Sequence, residues 1–408
     1  MELKDLGIDE HLFEEALRNK EPGKLFQILE IRPHSMTEKG LNFFSDIFRV
    51  HIQYTVTSNE KKTETRSENW IIKMEPSEKI PLLMLREQDM FLVELSVLRD
   101  FLPKIKEFVK HQLSPNLYYG SSNPHILIME DLKERGFIMK DRQKGLTFEH
   151  CRLVMEQLAR LHAGSVAVFE KHPEMIERFK DGGIVTDKCS TLYMRMMEVS
   201  LLRMGTQMRK WPNEKCHSPA EKLIKLSETI GERCKEVNNY DEGEFCVLNH
   251  GDCWVNNMVF KENEKGQPTD LLLLDYQFSV YTSPCIDLLY FLNTCPEFGI
   301  KYDYDDRLLK IYLDKLEETM TDIGCKRKPP TMKELMEAIH KRRAHTVLAG
   351  VVLYFRMIAN KEDTESFTTL YEKFGGETKM DVFKNPHAMK IAQKIFPIMD
   401  ERGYFDFD

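Results

Sequence analysis

The chain has 408 residues, 42% hydrophobic and 30% charged, a balance that excludes collagen-like, coiled-coil and disordered classes. Acidic residues outnumber basic ones by 66 to 58, for a net charge of -8, and no basic block stands out, so no nucleic acid partner is expected. A single core rarely serves a chain this long, which predicts two lobes with a cleft between them.

Residues 1–10 carry Glu2, Lys4, Asp5, Asp9 and Glu10 with no apolar centre, which argues against a secretory signal. From Phe44 onward, Phe48, Val50, Ile52, Tyr54 and Val56 alternate with Arg49, His51, Gln53 and Thr55, the period of a half-buried strand. The polar stretch 57–68 predicts a turn into a second strand through Trp70, Ile71, Ile72 and Lys73. Beyond Pro81, the spacing of Phe91, Leu95, Leu98 and Leu102 predicts a helix, and Pro103 is expected to end it because proline has no amide proton. Two short strands are expected around 117–119 and 125–129.

The pattern changes after Asp131. Thr147 is placed to cap a helix with Glu149 in its first turn, and Cys151, Val154, Met155, Leu158, Leu161 and His162 share one face. Helical patterns run to Tyr240 and resume at Pro284, with short apolar strands expected at 245–248, 258–260 and 271–274. The prediction is an α+β chain in which a β-rich N-terminal lobe, 1–131, carries one key helix, and a mainly helical C-terminal lobe, 132–408, carries the chemistry. The longest apolar stretch, 347–355, is too short to cross a bilayer, so no membrane insertion is expected. Nine cysteines begin at Cys151 and none forms a CxxC pair, which points to reduced thiols, a cytoplasmic address and no zinc site.

The informative segment is Asn249-His250-Gly251-Asp252-Cys253-Trp254-Val255-Asn256-Asn257, which leaves one apolar strand and enters another. Leu271-Leu272-Leu273-Leu274 then ends in Asp275. Phosphoryl transfer from ATP needs these parts: a carboxylate (Asp252) to orient an acceptor hydroxyl, and an amide (Asn257) with a second carboxylate (Asp275) to hold magnesium on the phosphates. The plain alternative is a turn whose Asp and Asn satisfy their own backbone. The strand that ends in Asp275 weighs against it.

His250-Gly251-Asp252 with Asn257 and Asp275 resembles the catalytic and metal loops of the aminoglycoside phosphotransferase and choline kinase superfamily, which is similar in fold to protein kinases. The strings HGDCWVNNMVF, LDYQFSVYTSPCIDLLYF and ILIMEDL are closer still to the insect ecdysteroid kinase-like (CHK kinase-like) family. The resemblance runs from about Gly40 to about Asn293. It implies a two-lobed protein-kinase-like fold using ATP and magnesium, with Asp252 as catalytic aspartate and Asn257 and Asp275 as magnesium ligands. It further implies that Lys73 pairs with the α- and β-phosphates and that Glu94 is its ion-pair partner. Backbone groups around Glu130, Asp131 and Leu132 would meet adenine, and Ser45, after Gly40, would belong to a phosphate-covering turn. On spacing alone, Lys73 and Glu94 read as ordinary surface charges; the order strand-Lys, helix-Glu, HGD, strand-Asp carries the assignment.

No G-x-G-x-x-G precedes Lys73 and no G-x4-G-K-[ST] occurs, which excludes a P-loop by motif. No Ala-Pro-Glu follows Asp275-Tyr276-Gln277, so no activation loop or peptide substrate is expected. His250 is expected to fix the loop, Cys253 to be a packed thiol, Asp287 to suit a helix start and His162 to be a satisfied core histidine. The expected partner is a small-molecule alcohol. The resemblance points to an ecdysteroid phosphorylated at a side-chain hydroxyl, with foreign alcohols (a detoxification role) or a silent nucleotide- or hormone-binding protein as alternatives. Met194, Met196, Met197, Met204 and Met208 could mould a pocket for a bulky apolar ligand or simply fill a helix core.

Overall fold

A computed structural model of the chain describes residues 7–36, 44–57, 63–360 and 386–407. Its N-terminal part is a five-stranded antiparallel sheet of β1 (Leu25–Ser35), β2 (Asp46–Thr57), β3 (Thr63–Met74), β4 (Leu117–Ser122) and β5 (His125–Glu130), in the order β1-β2-β3-β5-β4. The alternation in β2 does what its period requires: Phe48, Val50, Ile52, Tyr54 and Val56 are buried on one face. With Trp70, Ile72, Ile126 and Ile128 they pack against Phe13, Ala16 and Leu17 of helix α1 (His11–Lys20). Strand periodicity then sends Ile71 and Lys73 to the opposite face. Neither α1 nor β1 follows from the pattern, since β1 is an edge strand with most of its side chains in solvent, Leu25 among them. Residues Thr63 to Glu68, expected as a turn, are strand; they are polar because that end of β3 is largely exposed.

Helix α2 (Lys79–Glu87) leads into α3 (Met90–Ser96), a π-turn (Val97–Phe101) and α4 (Leu102–Phe108). Pro103 therefore does not end the helix. It falls in the first turn of α4, just past the π-turn, where the hydrogen-bond ladder is already shifted and a missing amide costs least. Phe91, Leu95, Leu98 and Leu102 are buried in one core with Leu127 and Met129 of the sheet and Val154, Leu158 and Leu161 beyond it. Gly164 admits the close approach of α4: a Cβ there would lie 2.4 Å from Cγ2 of Ile105.

The rest of the chain is mainly helical. After β6 (Ile138–Met139), helix α5 (Phe148–Lys171) buries the predicted face, but Thr147 bonds Nδ1 of His150 at 2.7 Å instead of capping an amide. Helices α6 (Thr191–Met208), α7 (His217–Leu226) and α8 (Ile230–Glu236) follow. Two small sheets then pair β7 (Val247–Asn249) with β10 (Val280–Thr282), and β8 (Met258–Glu262) with both β6 and β9 (Pro268–Leu273). Helix α9 (Cys285–Thr294) is buried along its whole length, and α10 (Asp305–Asp322) packs along α5. Helices α11 (Met332–Lys341), α12 (Arg343–Val347), α13 (Tyr354–Met357) and α14 (Pro386–Glu401) complete the fold, with a π-turn (Leu348–Leu353) between α12 and α13.

This is the predicted α+β arrangement, a sheet-based N-terminal part followed by a helical one. Met196, Met197, Met204 and Met208 are buried in the core, and Met194 packs where a side chain on Gly231 would stand. All nine cysteines are free thiols, seven of them buried. Among the described residues, no helix is long and apolar enough to cross a membrane.

Candidate active site

The site forms where β3, α3, the loop after β7 and the loop after β9 converge. Nζ of Lys73 lies 2.6 Å from Oε2 of Glu94 and 2.7 Å from Oδ1 of Asp275, and the Lys73 and Glu94 side chains are 5% and 2% exposed. A cation this buried survives only with partners. Burial alone would lower the Lys73 pKa, but Asp275 and Glu94 outweigh it and hold the ammonium well above its ordinary range. Burial pushes Glu94 upward against the pull of Lys73.

Asp252 sits in the loop between β7 and β8. Its Oδ2 accepts from Nδ2 of Asn257 at 2.9 Å, and its Oδ1 accepts from the hydroxyl of Tyr290 at 2.6 Å. Its surroundings, poor in water, push the carboxyl up to about 7; the Tyr290 bond pulls it down, Asp275 adds to the rise, and Asn257 and Lys73 oppose it.

The loop backbone is held from α9. The carboxylate of Asp287 accepts from the amides of His250 at 2.7 Å and Gly251 at 2.8 Å. His250 donates from Nε2 to the carbonyl of Leu274 at 2.8 Å, leaving Nδ1 to accept from the amide of Asp252 at 3.3 Å. That pairing defines a neutral Nε2–H tautomer, and burial holds the His250 pKa below its usual value. Gly251 is required: its φ is +85°, and a Cβ there would lie 1.9 Å from the carbonyl oxygen of Phe278. The Asn257 carbonyl accepts from the amide of Leu274 at 2.9 Å, which ties the two loops together beside Asp275.

The remaining predicted positions lie around this centre. Ser45 is buried just before β2, two residues ahead of Ile47, the cross-strand partner of Lys73. Gly40 lies outside the described residues, but the neighbouring Phe44 ring meets Phe278 edge-on at 6.1 Å. Glu130 ends β5 with its amide given to the carbonyl of Asn116 at 3.0 Å and its carboxylate bonded to Asn116 and Arg135. Leu132 packs with Phe137, Val259 and Leu272 in a small apolar cluster where β6, β8 and β9 meet. Cys253 is a buried thiol whose pKa burial raises.

Asp287 and Tyr290 were not singled out as site residues by sequence reasoning. The signal was present: both interrupt an otherwise apolar run, three residues apart, and so share a helix face. Among the described residues no three His, Cys, Asp or Glu side chains cluster as a metal site. The donor set still suits a hard cation, since Asn257 spends its amide nitrogen on Asp252 and keeps its amide oxygen. Asp275 Oδ2 meets only Nε2 of Gln277, at 3.4 Å, among the described residues. Magnesium is commonly held by one or two protein oxygens together with substrate phosphates.

A family model for the ecdysteroid kinase-like family matches residues 39–325, more than half of the chain. The chain belongs to the ecdysteroid kinase-like family. No curated protein matches it significantly. Similar solved structures include choline kinase from Cryptosporidium parvum Iowa II, at 14% identity over 92% of this chain and 91% of that one, with a TM-score of 0.44. A streptomycin–ATP ternary complex of APH(2'')-IIa aligns at 16% identity over 87% and 92%, with a TM-score of 0.39. ADP-bound aminoglycoside phosphotransferase APH(2'')-Ib aligns at 16% identity over 83% and 99%, with a TM-score of 0.34.

Proposed function

We propose that this chain is an ATP- and magnesium-dependent kinase that transfers the γ-phosphoryl group to an alcohol hydroxyl of a small molecule, an ecdysteroid being the acceptor the family name favours. The observation that carries the reading is the convergence of Lys73, Glu94 and Asp275 beside a loop that presents Asp252. The alternative of a silent binding protein finds no support in these positions, because each of the polar groups that phosphoryl transfer needs is present.

In this reading Lys73 meets the α- and β-phosphates while Glu94 keeps its ammonium aimed. Asn257 and Asp275 would hold magnesium, which supplies positive charge to the phosphates when bound. Asp252 accepts the hydroxyl proton of the acceptor as its oxygen forms a bond to the γ-phosphorus and the bond to the ADP oxygen breaks. Backbone groups around Glu130, Asp131 and Leu132 would meet the adenine, and Ser45, just before β2, would reach the phosphates.

The test is mass spectrometry of reactions containing magnesium-ATP and ecdysone, choline, a sugar or a plant phenol, run beside Asp252→Asn. A phosphate mass gain on one acceptor, lost in the variant while ATP binding persists, supports the reading. Equal turnover by Asp252→Asn overturns it.

A further inference from the structure

Helix α9 reaches the Asp252 loop twice from one face. Asp287 takes the amides of His250 and Gly251, and Tyr290, three residues on, donates its hydroxyl to Oδ1 of Asp252 at 2.6 Å. The first contact fixes the loop backbone and the second acts on the side chain that the backbone presents. Tyr290 is itself immobilised, being 2% exposed on a helix buried throughout, with its ring 5.8 Å from that of His345.

The χ2 torsion of an aspartate is broad and two-fold, so an unrestrained carboxylate turns freely about it. Donors on both oxygens remove that freedom: Asn257 holds Oδ2 and Tyr290 holds Oδ1. Each oxygen keeps a further lone pair, and the plane set by the two donors decides where those lone pairs point. We propose that Tyr290 is a positioning residue that fixes the plane of the Asp252 carboxylate toward the acceptor hydroxyl. The inference rests on the phosphotransfer reading above and adds a residue to it. A buried tyrosine hydroxyl merely seeking any acceptor would make the same contact; the two cases part in their kinetics.

Tyr290→Phe keeps the ring and its packing and removes one oxygen. ADP release would be measured with magnesium-ATP and ecdysone and, as a basal rate, with water as acceptor. A crystal structure of the variant would report the orientation of Asp252. The expected result is a kcat lower by about ten- to a hundredfold, the cost of a misplaced reacting group. KM for magnesium-ATP should stay within about twofold, and the Asp252 carboxylate should be turned or split between two orientations. An unchanged kcat overturns the inference whatever the carboxylate does, and so does a fall in kcat with the carboxylate unmoved. If the wild type releases no ADP with either acceptor, the phosphotransfer reading fails and this inference with it. That outcome is distinct from a wild type that turns over and a variant that matches it.

Discussion

His162 Nε2 and Asp287 Oδ2 face one another at 3.1 Å with neither side chain reaching solvent. The other imidazole nitrogen of His162 meets the hydroxyl of Tyr312 at 2.9 Å. Burial works against the Asp287 carboxylate, yet His162 and the amide donors hold its pKa below the usual carboxylate range. A line of contacts therefore runs from α10 through α5 and α9 to the backbone beside Asp252.

Removing the hub of that line should cost much of the chain's stability. Asp287→Ala leaves two buried amides and a buried imidazole without their acceptor, a loss of about 3–5 kcal/mol. Asp287→Asn, which keeps the shape and one acceptor oxygen, should cost less. Urea denaturation decides it, and an Asp287→Ala variant within about 1 kcal/mol of wild type would show that the loop stands without the clamp.

Lys73→Met separates phosphate binding from folding. With the ammonium gone, burial favours the protonated form of Glu94, so the variant should fold. Its affinity for magnesium-ATP should fall about tenfold or more, equivalent to at least ~1.4 kcal/mol. Calorimetric titration with magnesium-ATP reads this directly; an unchanged Kd would remove Lys73 from the nucleotide site.

His345 predicts a pH dependence. Burial pushes its pKa down to about 4, Asp287 acts in the opposite sense, and Arg342 reinforces the fall. In the unfolded chain the imidazole returns to about 6.5, so as pH falls the unfolded state takes up the proton first and stability drops between these values. The drop amounts to ~2–3 kcal/mol by about pH 4.5. His345→Phe should lose that component, and its unfolding free energy measured from about pH 7 down to about pH 4.5 should fall less steeply than that of the wild type. Parallel curves would refute the assignment.

Gly251→Ala sets a methyl group against the carbonyl of Phe278 and strains a left-handed backbone. Destabilisation above ~3 kcal/mol and loss of turnover are expected. For a chain of this length that loss lowers the melting temperature by about 3–4 °C or more, and a value within about 1 °C of wild type would contradict it.

Much of this was legible in the sequence because the parts are local. Alternation in β2 and the contiguous string around His250, Asp252 and Asn257 needed no tertiary knowledge. Lys73 and Glu94 were legible through their order along the chain, and the structure brings their side chains together. Asp287 was read as a helix-start carboxylate; its grip on the loop is a contact across 36 or more residues that no local pattern reports. Tyr290 was hidden for the same reason, as an aromatic in an apolar helix that looks like core until its hydroxyl is located. The path through Pro103 could not be foreseen, because a π-turn leaves no mark in hydrophobic spacing.

The two members of the Lys73–Glu94 pair sit on elements that are anchored differently. Glu94 belongs to a helix whose apolar side continues through Ile105 and Gly164 into α5, while Trp70 and Ile72, on the strand of Lys73, pack outward against α1. Any shift of α3 relative to β3 therefore stretches or shortens this one ion pair, which makes it a gauge of how the two elements are seated on one another.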